Sequence, residues 1–164
     1  MADETLGHAS TDISEEDCVK AVEVLRQASF ASFAVDEGRR PYVVPLNFVH
    51  ISSPGPHGRL VFHTGRGRKS VALAANPRVC VTASTRESFV QGNTPCSDGF
   101  AFSSVVAEGS ARLLEDPREK DEALRVLVAR YDPTMADHPF DDGVLAKTLV
   151  YEVTIESLSY RSRH

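Results

Sequence analysis

The sequence predicts an α+β protein, mainly β, in which six antiparallel strands form a small, partly open barrel with helices outside it. Three observations point there. The first three strand-like segments follow one another through turns of hairpin length, which favours antiparallel pairing. Only about three helical segments are present, too few to supply the crossovers of a doubly wound parallel sheet. The chain has 164 residues, enough for one domain and one core.

Each element has a local reason. Residues 1–12 are polar and small without a period and read as a disordered lead-in, leaving 13–164 as the folded domain. Ser14 is a natural N-cap, and Glu15, Glu16 and Asp17 sit where a helix dipole favours negative charge. Val19, Val22, Val24 and Leu25 then mark a helical face as far as about Gln27. A strand follows over Phe30–Val35, a turn at Asp36-Glu37-Gly38, and a second strand over Tyr42–Ile51. The run from Ser52 to Gly58, with Pro54, Gly55 and Pro56, is a turn, and Leu60–Thr64 is a third strand. Val71–Ala75 forms a short helix ended by Asn76-Pro77, and Arg78–Ser84 is the fourth strand. Thr85–Gly99 reads as a long polar loop. Phe100–Leu114 is a long strand in which Gly109 predicts a bulge or bend. Asp116-Pro117-Arg118-Glu119 opens a helix with Leu124, Leu127, Val128 and Tyr131 on one face. Asp132–Gly143 is a second long loop, and Leu149–Ile155 alternates as a last strand.

Composition narrows the function classes. Eighteen basic and 23 acidic residues give a net charge of −5, which argues against a general nucleic-acid binder. No apolar run approaches the ~20 residues that span a bilayer, and the acidic N-terminus lacks the layout of a signal peptide, so a cytoplasmic setting is expected. Three widely spaced cysteines, Cys18, Cys80 and Cys96, fit neither a disulfide framework nor a zinc knuckle. The spacing of His50, His57 and His63 matches no zinc pattern.

Chemistry concentrates between Leu60 and Ser70. A strand leads into a glycine-bearing turn, three cations (Arg66, Arg68 and Lys69) fall within four residues, and a helix begins. Glycines let backbone N–H groups converge on an anion, and a helix N-terminus adds partial positive charge. In an acidic protein this pattern reads as a phosphate site, although it also reads as a solvated basic turn. It matches neither the Walker nor the dinucleotide-binding glycine pattern. His63 shares a strand face with Val61, and reads either as a satisfied core histidine or as a residue beside a cofactor ring. Pro45, inside Tyr42–Phe48, donates no ladder hydrogen bond, so its strand is expected at an edge or facing a ligand, with backbone groups of Val44 and Leu46 left free. Ser103 and Ser104 interrupt an apolar strand, and no nucleophile elbow or paired-carboxylate pattern supports hydrolysis.

Five segments together resemble a known family. They are Tyr42-Val43-Val44-Pro45-Leu46-Asn47-Phe48; Phe62-His63-Thr64 with Gly67-Arg68-Lys69; Asn76 to Val81; Ser103 to Ala111; and Glu119-Lys120. In order and in spacing they look like the nitroimidazole-resistance branch of the pyridoxamine-phosphate-oxidase-like proteins. The resemblance implies a six-stranded antiparallel split β-barrel with flanking helices, which dimerises and binds FMN between its subunits. By position, Lys69 would meet the FMN phosphate with Arg68 and Ser70. The backbone of Val44, Pro45, Leu46 and Asn47, with His63 and Thr64, would face the flavin ring. Ser104 is placed by analogy, and His63 would serve catalysis. The implied activity is reduction of a small, nitroimidazole-type substrate. A flavin-binding module without turnover, or a barrel holding haem or a deazaflavin, is the alternative. The chain ends at Tyr160-Arg161-Ser162-Arg163-His164 and does not reproduce the Arg-x-His substrate segment of a true pyridoxamine-phosphate oxidase.

Overall fold

The computed structural model describes residues 13–38 and 40–163. The expected lead-in over 1–12 lies outside them. Helix α1 spans Glu15–Gln27, and the Ser14 hydroxyl accepts from the Asp17 N–H at 3.1 Å, capping it as its sequence predicts. Strands β1 (Ala31–Asp36), β2 (Pro41–Leu46), β3 (Val49–Ile51) and β4 (Arg59–Thr64) follow, then helix α2 (Arg68–Ala75). Strands β5 (Arg78–Val90) and β6 (Gly99–Leu113) form a long hairpin. Helix α3 spans Pro117–Tyr131 and is capped by Asp116, whose carboxylate accepts from the Arg118 and Glu119 N–H groups. A short helix α4 (Asp142–Lys147) precedes β7 (Leu149–Arg163).

The fold is mainly β with flanking helices, as expected, but the described residues form seven strands in one antiparallel sheet of order β2-β1-β5-β6-β7-β4-β3. The expected count of six fails at the segment 42–51, which breaks into β2 and β3 at Asn47-Phe48. The cause is a packing choice. Phe48 is fully buried, and its backbone N–H and C=O both bond the Tyr131 hydroxyl of α3, at 3.1 and 2.8 Å, rather than a strand. The break also shapes the whole sheet. Six strand spacings of about 4.8 Å would set β2 and β3 roughly 29 Å apart if the sheet were flat. The link from Leu46 to Val49 reaches at most about 11 Å. The sheet is therefore rolled, and its two edges come together at a seam that no hydrogen-bonded ladder closes.

Alternation sorts side chains to two cores. Inside the roll lie Phe33, Leu60, Phe62, Val81, Val105, Tyr151 and Val153, closed over by Val24 and Leu25 of α1 and Leu73 of α2. Aromatic rings line up through it: Phe33 lies 6.2 Å from Phe48 and 4.9 Å from Phe62, which stacks on Tyr151 at 5.3 Å. On the outer face of β3, β4 and β7, Val49, Val61 and Val150 pack against Leu124 and Leu127 of α3.

The other differences have simple origins. Phe30 is solvent-exposed and precedes β1. The expected loop 85–99 begins as strand, because Ser88, Phe89 and Val90 pair with Ala101, Phe100 and Gly99 on an exposed hairpin, beyond a bulge at Thr85/Ser88. The last strand runs on past Ile155 to Arg163, pairing with β6 as far as Phe102. Its register shifts between Glu108 and Gly109, where a bend was expected. A Cβ on Gly109 would stand 2.0 Å from the Thr154 carbonyl oxygen, so close approach of two strands requires glycine there.

Candidate functional site

His63 is the penultimate residue of β4. Its neighbours Leu60 and Phe62 turn into the roll, so His63 and Val61 turn to the helix side, as alternation predicts. There His63 meets a cleft of about 470 Å³ between the seam and helices α3 and α4. The walls include Leu124, Leu127, Tyr131 and Phe140, while Asn47 and His63 supply polar groups. A mostly apolar hollow of this size with a few convergent polar groups suits a small, flat ligand. Solvent reaches the His63 ring, yet the surrounding packing holds its pKa below the ordinary imidazole value. At neutral pH the ring is uncharged and offers one N–H donor and one acceptor.

The seam itself is held by the side chains of Tyr131 and Asn47. The Tyr131 hydroxyl approaches the carbonyl oxygens of Ser29 and Phe48 at 2.7 and 2.8 Å and accepts from the Phe48 N–H, tying the starts of β1 and β3 to α3. The Asn47 side-chain amide also donates to the Ser29 carbonyl at 3.1 Å. Val44 and Leu46 turn their side chains into the barrel, so β2 shows solvent Val43 and Pro45, and Asn47 just beyond it is exposed too. One side of β2 pairs with β1 and the other pairs with no strand among the described residues, which is the edge position its proline predicts.

Two residues beyond His63 the chain enters the cationic turn. Around Gly65 and Gly67 the space a Cβ would enter is open, so the backbone is accessible. The Ser70 hydroxyl accepts from the Gly67 N–H at 3.0 Å and donates to the Gly67 carbonyl at 2.9 Å, fixing the entry to α2. Arg66 and Lys69 have no acidic partner among the described residues. Arg68 does: its Nε and Nη2 both donate to the Glu37 carboxylate at 2.5 Å, and its guanidinium lies 4.1 Å from the centre of the Tyr42 ring. The Arg68 hydrogen bond pulls the Glu37 pKa below the usual carboxylate range. Two unpaired cations, accessible glycine backbone and a helix N-terminus form a donor set that fits a phosphate. The open edge of β2 beside an apolar cleft fits a planar ring.

The remaining expected residues fall elsewhere. Thr64 is buried, with its hydroxyl donating to the Gly65 carbonyl at 3.2 Å. Ser104 lies between Ser84 and Arg161 in the sheet and donates to the Arg161 carbonyl at 3.2 Å, away from the cleft lining. Glu37 and Tyr131 were not expected in the site. Glu37 reads in sequence as a turn residue and Tyr131 as one more residue on a helix face.

Residues 17–162 match the family model described as pyridoxamine 5'-phosphate oxidase. The chain belongs to this family. Among solved structures, a candidate 5-nitroimidazole antibiotic resistance protein from Bacteroides thetaiotaomicron is 26% identical, with a TM-score of 0.73 over 90% of this chain and 85% of that one. The sequence resemblance to the nitroimidazole-resistance branch of the pyridoxamine-phosphate-oxidase-like proteins is thereby borne out. The flavocytochrome Anf3 from Azotobacter vinelandii aligns with a TM-score of 0.77 at 23% identity, over 92% of this chain and 68% of that one. A FAD-binding protein from Mesorhizobium loti aligns with a TM-score of 0.65 at 24% identity, over 93% and 96%. The last two show a shared fold, the split barrel. No curated protein matches the chain. No helix among the described residues is long and apolar enough to cross a membrane.

Proposed function

We propose that this protein is a flavin-binding oxidoreductase that uses FMN to reduce a small, planar substrate of nitroimidazole type. One observation carries the reading. A single strand, β4, carries near its end a neutral histidine facing an apolar cleft and continues directly into an accessible cationic turn. Family membership and the name of the Bacteroides relative support it. Bound FMN would supply the two-electron chemistry, as a cofactor does on a protein scaffold. The chain's own residues bind, orient and shield. Lys69 and Arg66 neutralise the phosphate at the mouth of α2. Pro45 and Asn47 offer the open edge of β2 to the ring. Leu124, Leu127 and Phe140 exclude water from the substrate side, and the neutral His63 imidazole donates an N–H hydrogen bond at the cleft and passes solvent protons to the reduced product through its other nitrogen.

The reading includes a homodimer formed through the outer face of the sheet. Pro45, Ser32, Thr82 and Val106 lie in one row across β2, β1, β5 and β6, small side chains that let a second sheet approach closely. FMN would sit where that face meets the seam, in a cytoplasmic protein. The test is absorbance. Purified protein supplied with FMN and desalted is expected to stay yellow. After dithionite reduction under anaerobic stopped flow it is expected to reoxidise on mixing with a nitroimidazole. A colourless protein refutes the flavin reading, and a yellow protein inert to the nitroimidazole leaves a binding module without turnover.

A further inference from the structure

We propose that Glu37 is a specificity-determining residue of the phosphate site, an internal carboxylate that competes with the ligand's phosphate for Arg68. This rests on the flavin-phosphate reading above and goes beyond it. A guanidinium recognises a phosphate through two parallel N–H groups on one edge. In this chain one such edge of Arg68, formed by Nε and Nη2, is taken by the two oxygens of Glu37. The arrangement is preorganised on both sides. Tyr42, on β2, stacks under the guanidinium at 4.1 Å and sets the plane of the fork. Glu37 projects from the turn between β1 and β2, and its side chain is only 21% exposed, so the carboxylate is held against the helix start. Arg68, Glu37, Arg40 and Asn76 line one hollow of about 710 Å³ beside α2, so the pair borders an open space.

The electrostatic consequence is direct. Arg66, Arg68 and Lys69 would present three positive charges, but the ion pair leaves a net two. A dianionic phosphate approaching Lys69 must displace Glu37 from Arg68 before it can use that guanidinium edge, and this weakens it. A flavin without a phosphate feels no such penalty. Glu37 therefore narrows the preference of the site for a phosphorylated over an unphosphorylated ligand. It is a tuning residue and touches no reacting atom.

The experiment titrates FMN and riboflavin into wild type, Glu37→Gln, Arg68→Gln and the double variant, following flavin fluorescence, with circular dichroism as the folding control. Glu37→Gln keeps the side-chain shape at the surface. It is expected to bind FMN about fivefold more tightly, the scale of one exposed ion pair, while riboflavin changes less than about twofold. In the Arg68→Gln background the gain is expected to vanish. FMN affinity unchanged or lowered by Glu37→Gln overturns the assignment, as does an equal gain for riboflavin or a gain that persists without Arg68. A wild-type chain that binds neither flavin overturns the flavin reading and the Glu37 assignment with it, whereas wild type that binds FMN with an indifferent Glu37→Gln overturns the assignment alone.

Discussion

Replacing Tyr131 with Phe removes one oxygen and tests whether the seam is held as described. The ring stays, so no cavity opens and the apolar wall of the cleft keeps its shape. What disappears is the partner of the Phe48 N–H and C=O and of the Ser29 carbonyl. Phe48 is fully buried, so water does not readily replace the hydroxyl at its backbone. Leaving a buried polar group unpaired costs about 1–3 kcal/mol. Taking ~2 kcal/mol, a domain of this size should lose roughly 4–8 °C in Tm. Thermal denaturation followed by circular dichroism, with urea unfolding as a second measure, reads this directly. A Tm within about 1 °C of wild type would show that the corner is fixed by the strands and not by α3, and the account of why the segment 42–51 breaks would fall.

Three further perturbations follow. Gly109→Ala places a methyl 2.0 Å from the Thr154 carbonyl oxygen and should destabilise by more than about 2 kcal/mol, visible as a lower urea midpoint; an unchanged midpoint would refute the close approach of β6 and β7. Burial lowers the pKa of both His50 and His63 below about 6.5. The unfolded chain therefore binds protons first as pH falls. Stability is full above about pH 6.5, declines below it, and levels off once the folded values are passed. A lower urea midpoint at pH 5 than at pH 7.5 is expected, and equal midpoints would contradict it. Stopping at pH 5 avoids the window of Glu16, Glu37 and Glu87, whose lowered pKa values place their losses further down. Finally, Lys69→Ala should weaken FMN binding about tenfold, while His63→Ala should retain FMN and lose nitroimidazole reduction; the reverse pattern would exchange their assigned roles.

Much of this architecture can be read from the order of residues. Ser14 and Asp116 mark helix starts because a side-chain oxygen at that position satisfies a local backbone donor. β1 is legible because its buried residues alternate with more exposed ones, and the first half of β7 because Tyr151, Val153 and Ile155 alternate towards the barrel core. The seam is not legible. Phe48 prolongs the apolar run of its strand, and only its distant partner Tyr131, 83 residues along, decides that the chain turns there. The end of β7 hides for the opposite reason. Its residues 156–163 are mostly polar and pair at an exposed margin, so no burial imposes a period. For the site, the cations and His63 are local features on one short segment. The Glu37 carboxylate that modifies them lies 31 residues away and is brought in by sheet pairing alone.

The unclosed join between β2 and β3 has one more consequence. A molecule that inserts between two paired strands must break backbone bonds before it forms its own. Among the described residues no ladder bond crosses this join, because each of the two strands pairs on its far side and not on the near one. A flat guest can slip in and out of such a gap while every ladder of the sheet stays intact, so turnover of bound material need not be coupled to any unfolding of the scaffold.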